Sequence, residues 1–169
     1  MGNEIDEMMD LHKAIIPNRA FYGLKKFILE SNKIEQVTDP DEAYYSFRAY
    51  EKIKKITVKS ILKLHKEIMS NLDPDIGGRL RDDFVYIGGR KCPFEYLEAS
   101  LSDHCLNLPE TSIGVLNWHI VFEKIHPFFD GNGRTGRLLY YWQCQNLGVQ
   151  PITFCKDNLR WYYDLFKEP

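Results

Sequence analysis

The sequence has no long apolar run, no paired-cysteine motif and no large excess of charge, and each absence removes a class of protein. No stretch approaches the ~20 apolar residues of a membrane-spanning helix, so no membrane is expected as a partner. Cys92, Cys105, Cys144 and Cys155 are far apart and form no CxxC pair, which fits reduced thiols rather than a disulfide framework. Acids at Glu4, Asp6, Glu7 and Asp10 stand where a signal peptide would be basic. Asp6 also replaces the hydroxyl residue that a myristoylation signal on Gly2 would need. These features together lead us to expect a cytoplasmic protein. The formal net charge of −2 lacks the basic excess of a duplex binder, so nucleic acid is not expected as the main partner. Internal repeats, low-complexity tracts and linkers are also missing.

What is present reads as one compact, mainly helical domain. At 169 residues the chain is long enough to bury a core without staples, and 44% hydrophobic residues can supply it. Ile5, Met8, Met9, His12, Ile15 and Ile16 form a helical face over 3–16, stopped by Pro17. Asn18 can cap a second helix carrying Phe21, Leu24, Phe27 and Ile28, followed by a turn or short helix at 31–36. Asp39-Pro40 opens a third helix and Thr57 a fourth, with Ile61, Leu64 and Ile68 on its inner face. Phe84-Val85-Tyr86-Ile87 followed by Gly88-Gly89 is the one strand signal, a short hairpin spanning 82–92. Further helices are expected over 94–107, 111–125, 133–147 and 157–167. Within the domain, N-terminal helices over 1–56 precede a core over 57–169.

The chemistry gathers at residues 126–137, between two apolar helices. Ile113, Leu116, Ile120, Val121 and Ile125 give the first of them an apolar face. It ends at His126-Pro127, because proline disfavours helical geometry in the residue before it. Asp130-Gly131-Asn132-Gly133 then leads into the next helix. Such a loop can point several N–H groups at one place beside a positive helix end, which makes an anion site. Arg134 and Arg137 follow on one helix face, where local electrostatics would favour acids, and a polyphosphate resolves that conflict. Asp130 is a hard oxygen ligand suited to magnesium, and His126 is a base poised near neutral pH. Base, cradle, metal ligand and arginines together describe transfer of a phosphate-containing group to a hydroxyl.

The segment His126-Pro127-Phe128-Phe129-Asp130-Gly131-Asn132-Gly133-Arg134-Thr135-Gly136-Arg137 resembles the Fic family's HPFx(D/E)GNGRxxR motif at every specified position. The resemblance implies an all-α Fic fold with one β-hairpin flap, and a protein adenylyltransferase using ATP and Mg2+. His126 would then be the base acting on a Ser, Thr or Tyr of a target protein, and Asp130 the magnesium ligand. Gly131, Asn132 and Gly133 would line the anion hole, Arg134 and Arg137 would hold the β- and γ-phosphates, and Phe128 would anchor the loop. His119, in the HxxFxxI lead-in, is read as a packing residue.

The resemblance extends beyond the motif. Gly78-Arg79-Leu80-Arg81 is similar to the family's GxxR element. Val85, Tyr86 and Ile87 would form a flap edge that docks the target by strand pairing; a hairpin that only closes the core is the other reading. Ser31 and Glu35 resemble an N-terminal inhibitory motif, (S/T)xxxE(G/N), in which Glu35 pairs with Arg137 in place of a phosphate. Gln36 departs from the usual Gly or Asn. Tyr162 and Tyr163 resemble a pair that packs near adenine, and relatives are often homodimers. Two other functions stay open: removal of AMP or transfer of another phosphate-containing group by the same loop, and a catalytically silent nucleotide-binding or toxin-like module. The family's kinase variant departs from GNGR, which this chain keeps.

Overall fold

The structure, a computed structural model, describes residues 18–167. The helix expected over 3–16 lies outside the described residues. Seven helices and one hairpin make up the described chain: α1 (Asn18–Ile34), α2 (Pro40–Glu51), α3 (Val58–Ile68), β1 (Val85–Ile87), β2 (Arg90–Cys92), α4 (Leu97–Leu106), α5 (Ser112–Ile125), α6 (Asn132–Asn146) and α7 (Leu159–Asp164). No helix among the described residues is long and apolar enough to cross a membrane. All four cysteines are unpaired.

α6 is the axis of the fold. Nearly every residue from Arg134 to Cys144 is buried, and α1, α2, α3 and α5 all pack on it. α1 presents Leu24, Phe27 and Ile28 to this core at helical spacing, and the same stripe continues into buried Ser31 and Asn32. A helix face that turns from apolar to polar toward its end needs polar partners there, and α6 supplies them.

Local chemistry sets most helix starts. Asp39 caps α2 by accepting from the Asp41 amide at 2.9 Å, with Pro40 in the first turn. Thr57 and Ser60 form a reciprocal capping box on α3, with Ser60 in the place usually held by Glu or Gln. Thr111 caps α5 through the Gly114 amide.

Four expectations need correction. α1 runs unbroken to Ile34, so residues 31–34 are its last turn rather than a separate element. α4 starts three residues later than expected, because Tyr96 sits at φ 70°, a conformation a helix interior cannot hold. α5 buries Val115, Trp118, His119 and Phe122, while Ile113 is 71% and Val121 45% exposed. That helix is apolar nearly all round, so hydrophobic spacing alone does not choose its inner face. The C-terminal helix is split: Asn158 bonds back to the Cys155 amide and the Thr153 carbonyl, leaving a 3-10 turn at Lys156–Asn158 before α7.

α1 ends in a Schellman motif. The Val37 amide donates to the Asn32 carbonyl and the Gln36 amide to that of Lys33, with Gln36 at φ 59°. This left-handed position explains why Gly or Asn suits it, since a side chain there strains against its own carbonyl. Gln36→Gly is therefore expected to stabilise the protein by about 1 kcal/mol, measured as a higher midpoint in urea at unchanged m-value.

Candidate active site

Gly131 adopts φ 74° to end the loop and start α6, and no side chain caps that helix. The first amides of α6 thus have neither an intrahelical carbonyl nor a cap, the arrangement that receives anions. A side chain at Gly131 would strike Met69 Sδ at 2.8 Å and the His65 ring, so the close approach demands glycine as well as the angle does.

The loop is held from within and from behind. Asn132 accepts from the Phe128 amide at 2.9 Å and donates to the Phe128 carbonyl at 2.8 Å. Its side chain is thus a staple, and only its backbone can serve the anion hole. Phe128 is fully buried and stacks on His65 at 3.6 Å. The Gly78 amide donates to His65 Nδ1 at 2.9 Å, so the ring proton lies on Nε2 and is donated to the Asp130 carbonyl, also at 2.9 Å. Burial pushes the His65 pKa down to about 4, keeping the ring neutral and this tautomer in place. The one sign of His65 in the sequence is a polar residue within the buried stripe Ile61, Leu64, Ile68, which requires partners.

His126 caps the end of α5 at φ 49°, a strained conformation for a residue with a β-carbon. Its Nδ1–H donates to the Glu123 carbonyl at 3.2 Å, leaving Nε2 as the acceptor. Burial lowers its pKa, opposed by the Glu123 hydrogen bond, and the Arg81 charge adds to the lowering. The backbone here is fastened by Arg81, whose Nε donates to the His126 carbonyl at 2.7 Å.

Both arginines are buried, Arg134 to 3% and Arg137 to 1% exposure. Among the described residues Arg134 reaches Met69 Sδ at 3.4 Å and Asp130 Oδ2 at 3.7 Å, and its Nε has no partner. Arg137 is well served: Nε donates to Ser31 Oγ at 2.7 Å, Nη1 to the Tyr162 hydroxyl at 3.3 Å and Nη2 to Glu35 Oε1 at 2.5 Å. A side chain at Gly133 would overlap the Glu35 carboxylate, so Glu35 lies against the first turn of α6. Ser31, Glu35 and Arg137 therefore meet at the first turn of α6.

Asp130 is the exposed carboxylate of the loop, with its side chain 68% accessible and one oxygen accepting from the Gly131 amide. Among the described residues no group of three or more His, Cys, Asp or Glu could hold a metal unaided. A single exposed carboxylate beside an uncapped helix start could serve magnesium, which keeps waters and takes oxygens from a bound phosphate.

The two tyrosines divide. Tyr162 is buried, with its hydroxyl spent on Arg137 and His119, so it supports the arginine and cannot face a base. Tyr163 is 49% exposed and keeps an open ring. Behind Arg137, His119 is fully buried, as a packing residue would be. Its Nδ1 lies 3.9 Å from Glu123 Oε1, and neither atom has a hydrogen-bond partner. Burial raises the Glu123 pKa to about 7, against the pull of Arg137. This buried acid was not anticipated from the sequence.

In the hairpin, Val85 pairs with Cys92, Tyr86 with Lys91 and Ile87 with Arg90. Gly88 and Gly89, at φ 55° and 83°, form the tight turn. Tyr86 is 66% exposed, and the sheet has only two strands, so β1 has an outer edge with no ladder partner among the described residues.

The model of the Fic/DOC family matches residues 55–144. The protein named Protein adenylyltransferase Fic from Drosophila erecta is 36% identical over 121 residues, 66% of this chain and 24% of that protein. Its namesake from Drosophila grimshawi is 37% identical over 120 residues, covering 66% and 25%. The chain thus spans about a quarter of the length of these curated relatives. A Fic family protein from Desulfovibrio desulfuricans G20 shares the fold at TM-score 0.72 and 23% identity, covering 96% of this chain and 63% of that one. Fic-1 from C. elegans does so at TM-score 0.69 and 20% identity, covering 96% and 61%.

Two stability predictions follow from the buried groups. Asn132→Ala leaves both Phe128 backbone groups unpaired and is expected to cost about 2–4 kcal/mol in chemical denaturation. The second concerns Glu123, whose folded pKa of about 7 exceeds its ordinary 4.5. The native state then binds the extra proton, so its contribution to stability is full below 4.5 and lost as pH rises through about 7. Glu123→Gln should therefore raise the melting temperature, relative to the parent, more at about pH 8 than at about pH 5. Equal differences at both pH values would remove Glu123 as the titrating group.

Proposed function

The chain belongs to the Fic/DOC family, and on that premise we propose that it is a protein adenylyltransferase, moving AMP from ATP to a Ser, Thr or Tyr hydroxyl of a target protein. The observation that carries the proposal is Arg134, a buried guanidinium with an unpartnered Nε beside an uncapped helix start. A buried charge with unspent donors favours an anionic ligand strongly. The relatives named protein adenylyltransferase support the choice of AMP.

His126 Nε2 accepts the proton of the incoming hydroxyl. The hydroxyl oxygen then bonds to the α-phosphorus, the bond from that phosphorus to the bridging oxygen breaks, and pyrophosphate leaves. The α6 amides at Gly131–Gly133 and the Arg134 and Arg137 guanidiniums stabilise the charge that builds on the phosphates. Asp130 would hold Mg2+, which neutralises phosphate charge. The unpaired outer edge of β1, at Val85, Tyr86 and Ile87, receives an extended segment of the target, and Tyr163 is the remaining candidate for contact with the base.

Glu35 holds the enzyme off in this reading. Its carboxylate engages Arg137 against the α6 start, so the γ-phosphate and Glu35 compete for one guanidinium.

The test uses ATP labelled at the α- or γ-position, with magnesium. Glu35→Gly should raise self-labelling from the α-position by about tenfold or more, and adding His126→Ala should reduce it about a hundredfold or more. Label from the γ-position alone would mean phosphoryl transfer, and no label from either would mean a binding module. Because the His126 pKa is lowered, the transfer rate should fall on acidification only below 6.5, the ordinary histidine value.

A further inference from the structure

Arg81 has no role in the chemistry above, yet it is buried to 3% exposure, and its side chain donates to backbone carbonyls on three segments. Nε donates to His126, Nη1 to Asp83 at 2.7 Å and Cys92 at 3.2 Å, and Nη2 to Pro93 at 2.6 Å. Its own amide donates to the Pro127 carbonyl at 3.0 Å. Asp83 precedes β1, Cys92 ends β2 and Pro93 follows it. One planar fork therefore ties both legs of the hairpin to the residue that carries the base.

We propose that Arg81 is the positioning residue that makes the hairpin and His126 one rigid unit, so that an acceptor strand seated on β1 arrives in register with His126 Nε2. The inference rests on the adenylyltransferase reading for the acceptor, but the coupling itself stands on geometry. The two tethers are directional hydrogen bonds from a rigid group, and a lysine, with one nitrogen, cannot span them together. His126 in its strained conformation needs such support, because a left-handed non-glycine residue persists only where its surroundings over-determine it. A displacement of about 1 Å between acceptor and base would cost about a hundredfold in rate.

The experiment places Arg81→Lys in the full chain, alone and with Glu35→Gly. Amide hydrogen exchange is followed together with ATP binding and α-label incorporation. The expected result is faster exchange at 85–92 and at the His126 and Phe128 amides together. ATP affinity should stay within about twofold while incorporation falls about a hundredfold. Faster exchange in the hairpin alone, with incorporation retained, overturns the proposal; so does lost incorporation explained by lost ATP binding. If Arg81→Lys does not fold, Gly89→Val breaks the hairpin turn without touching Arg81, since φ 83° excludes a branched side chain. The same joint loss of protection is then expected, and loosening confined to 85–92 overturns the coupling. Should Glu35→Gly with Arg81 intact transfer nothing, the adenylyltransferase reading fails while the exchange result still decides the role of Arg81.

Discussion

The guanidinium of Arg137 is fully buried, and its burial is offset by donors spent on groups from both ends of the described chain. Ser31 comes from the last turn of α1, Glu35 directly follows that helix, and Tyr162 comes from α7. One charged side chain on the central helix thus fixes where the N-terminal helix ends and how the C-terminal helix lies against the core. The polar finish of the α1 stripe, buried Ser31 and Asn32 after Leu24, Phe27 and Ile28, is the counterpart of that requirement. A ligand that takes Arg137 from Glu35 must replace what the carboxylate supplies, and a phosphate has the charge and the oxygens to do so.

The loop beside it is rigid for separate reasons. Asn132 closes it on itself, His65 and Phe128 hold it from the α3 side, and Arg81 fastens its first residues to the hairpin. Each of these groups is buried with polar atoms paired, which leaves Asp130 as the exposed polar side chain of the loop and His126 as a half-buried one. Arg134 is the exception, with a donor unspent, and it points to the place where binding is favourable.

Much of this was legible before any coordinates. Caps at Asp39 and Thr57 act over a few residues, so they can be read locally, and so can the Gly88-Gly89 turn. The loop at 126–137 could be singled out because glycines, a helix start and two arginines fall within one short segment. The inner face of α5 could not, because a helix apolar nearly all round gives its periodicity no contrast. The late start of α4 depends on Tyr96 taking a conformation that its residue type disfavours.

The amino-acid sequence by itself determined the helical character, the hairpin and the composition of the loop at 126–137, since each follows from residues within a few positions of one another. Only the tertiary structure decided that Glu35 meets Arg137, that Tyr162 turns inward while Tyr163 stays open, and that Arg81 joins hairpin to histidine. The His65 stack on Phe128 and the Glu123–His119 pair belong with these. The physical reason is common to all of them. A buried polar side chain takes whichever partners packing brings within hydrogen-bond range, and those partners lie on elements that meet only when the core closes.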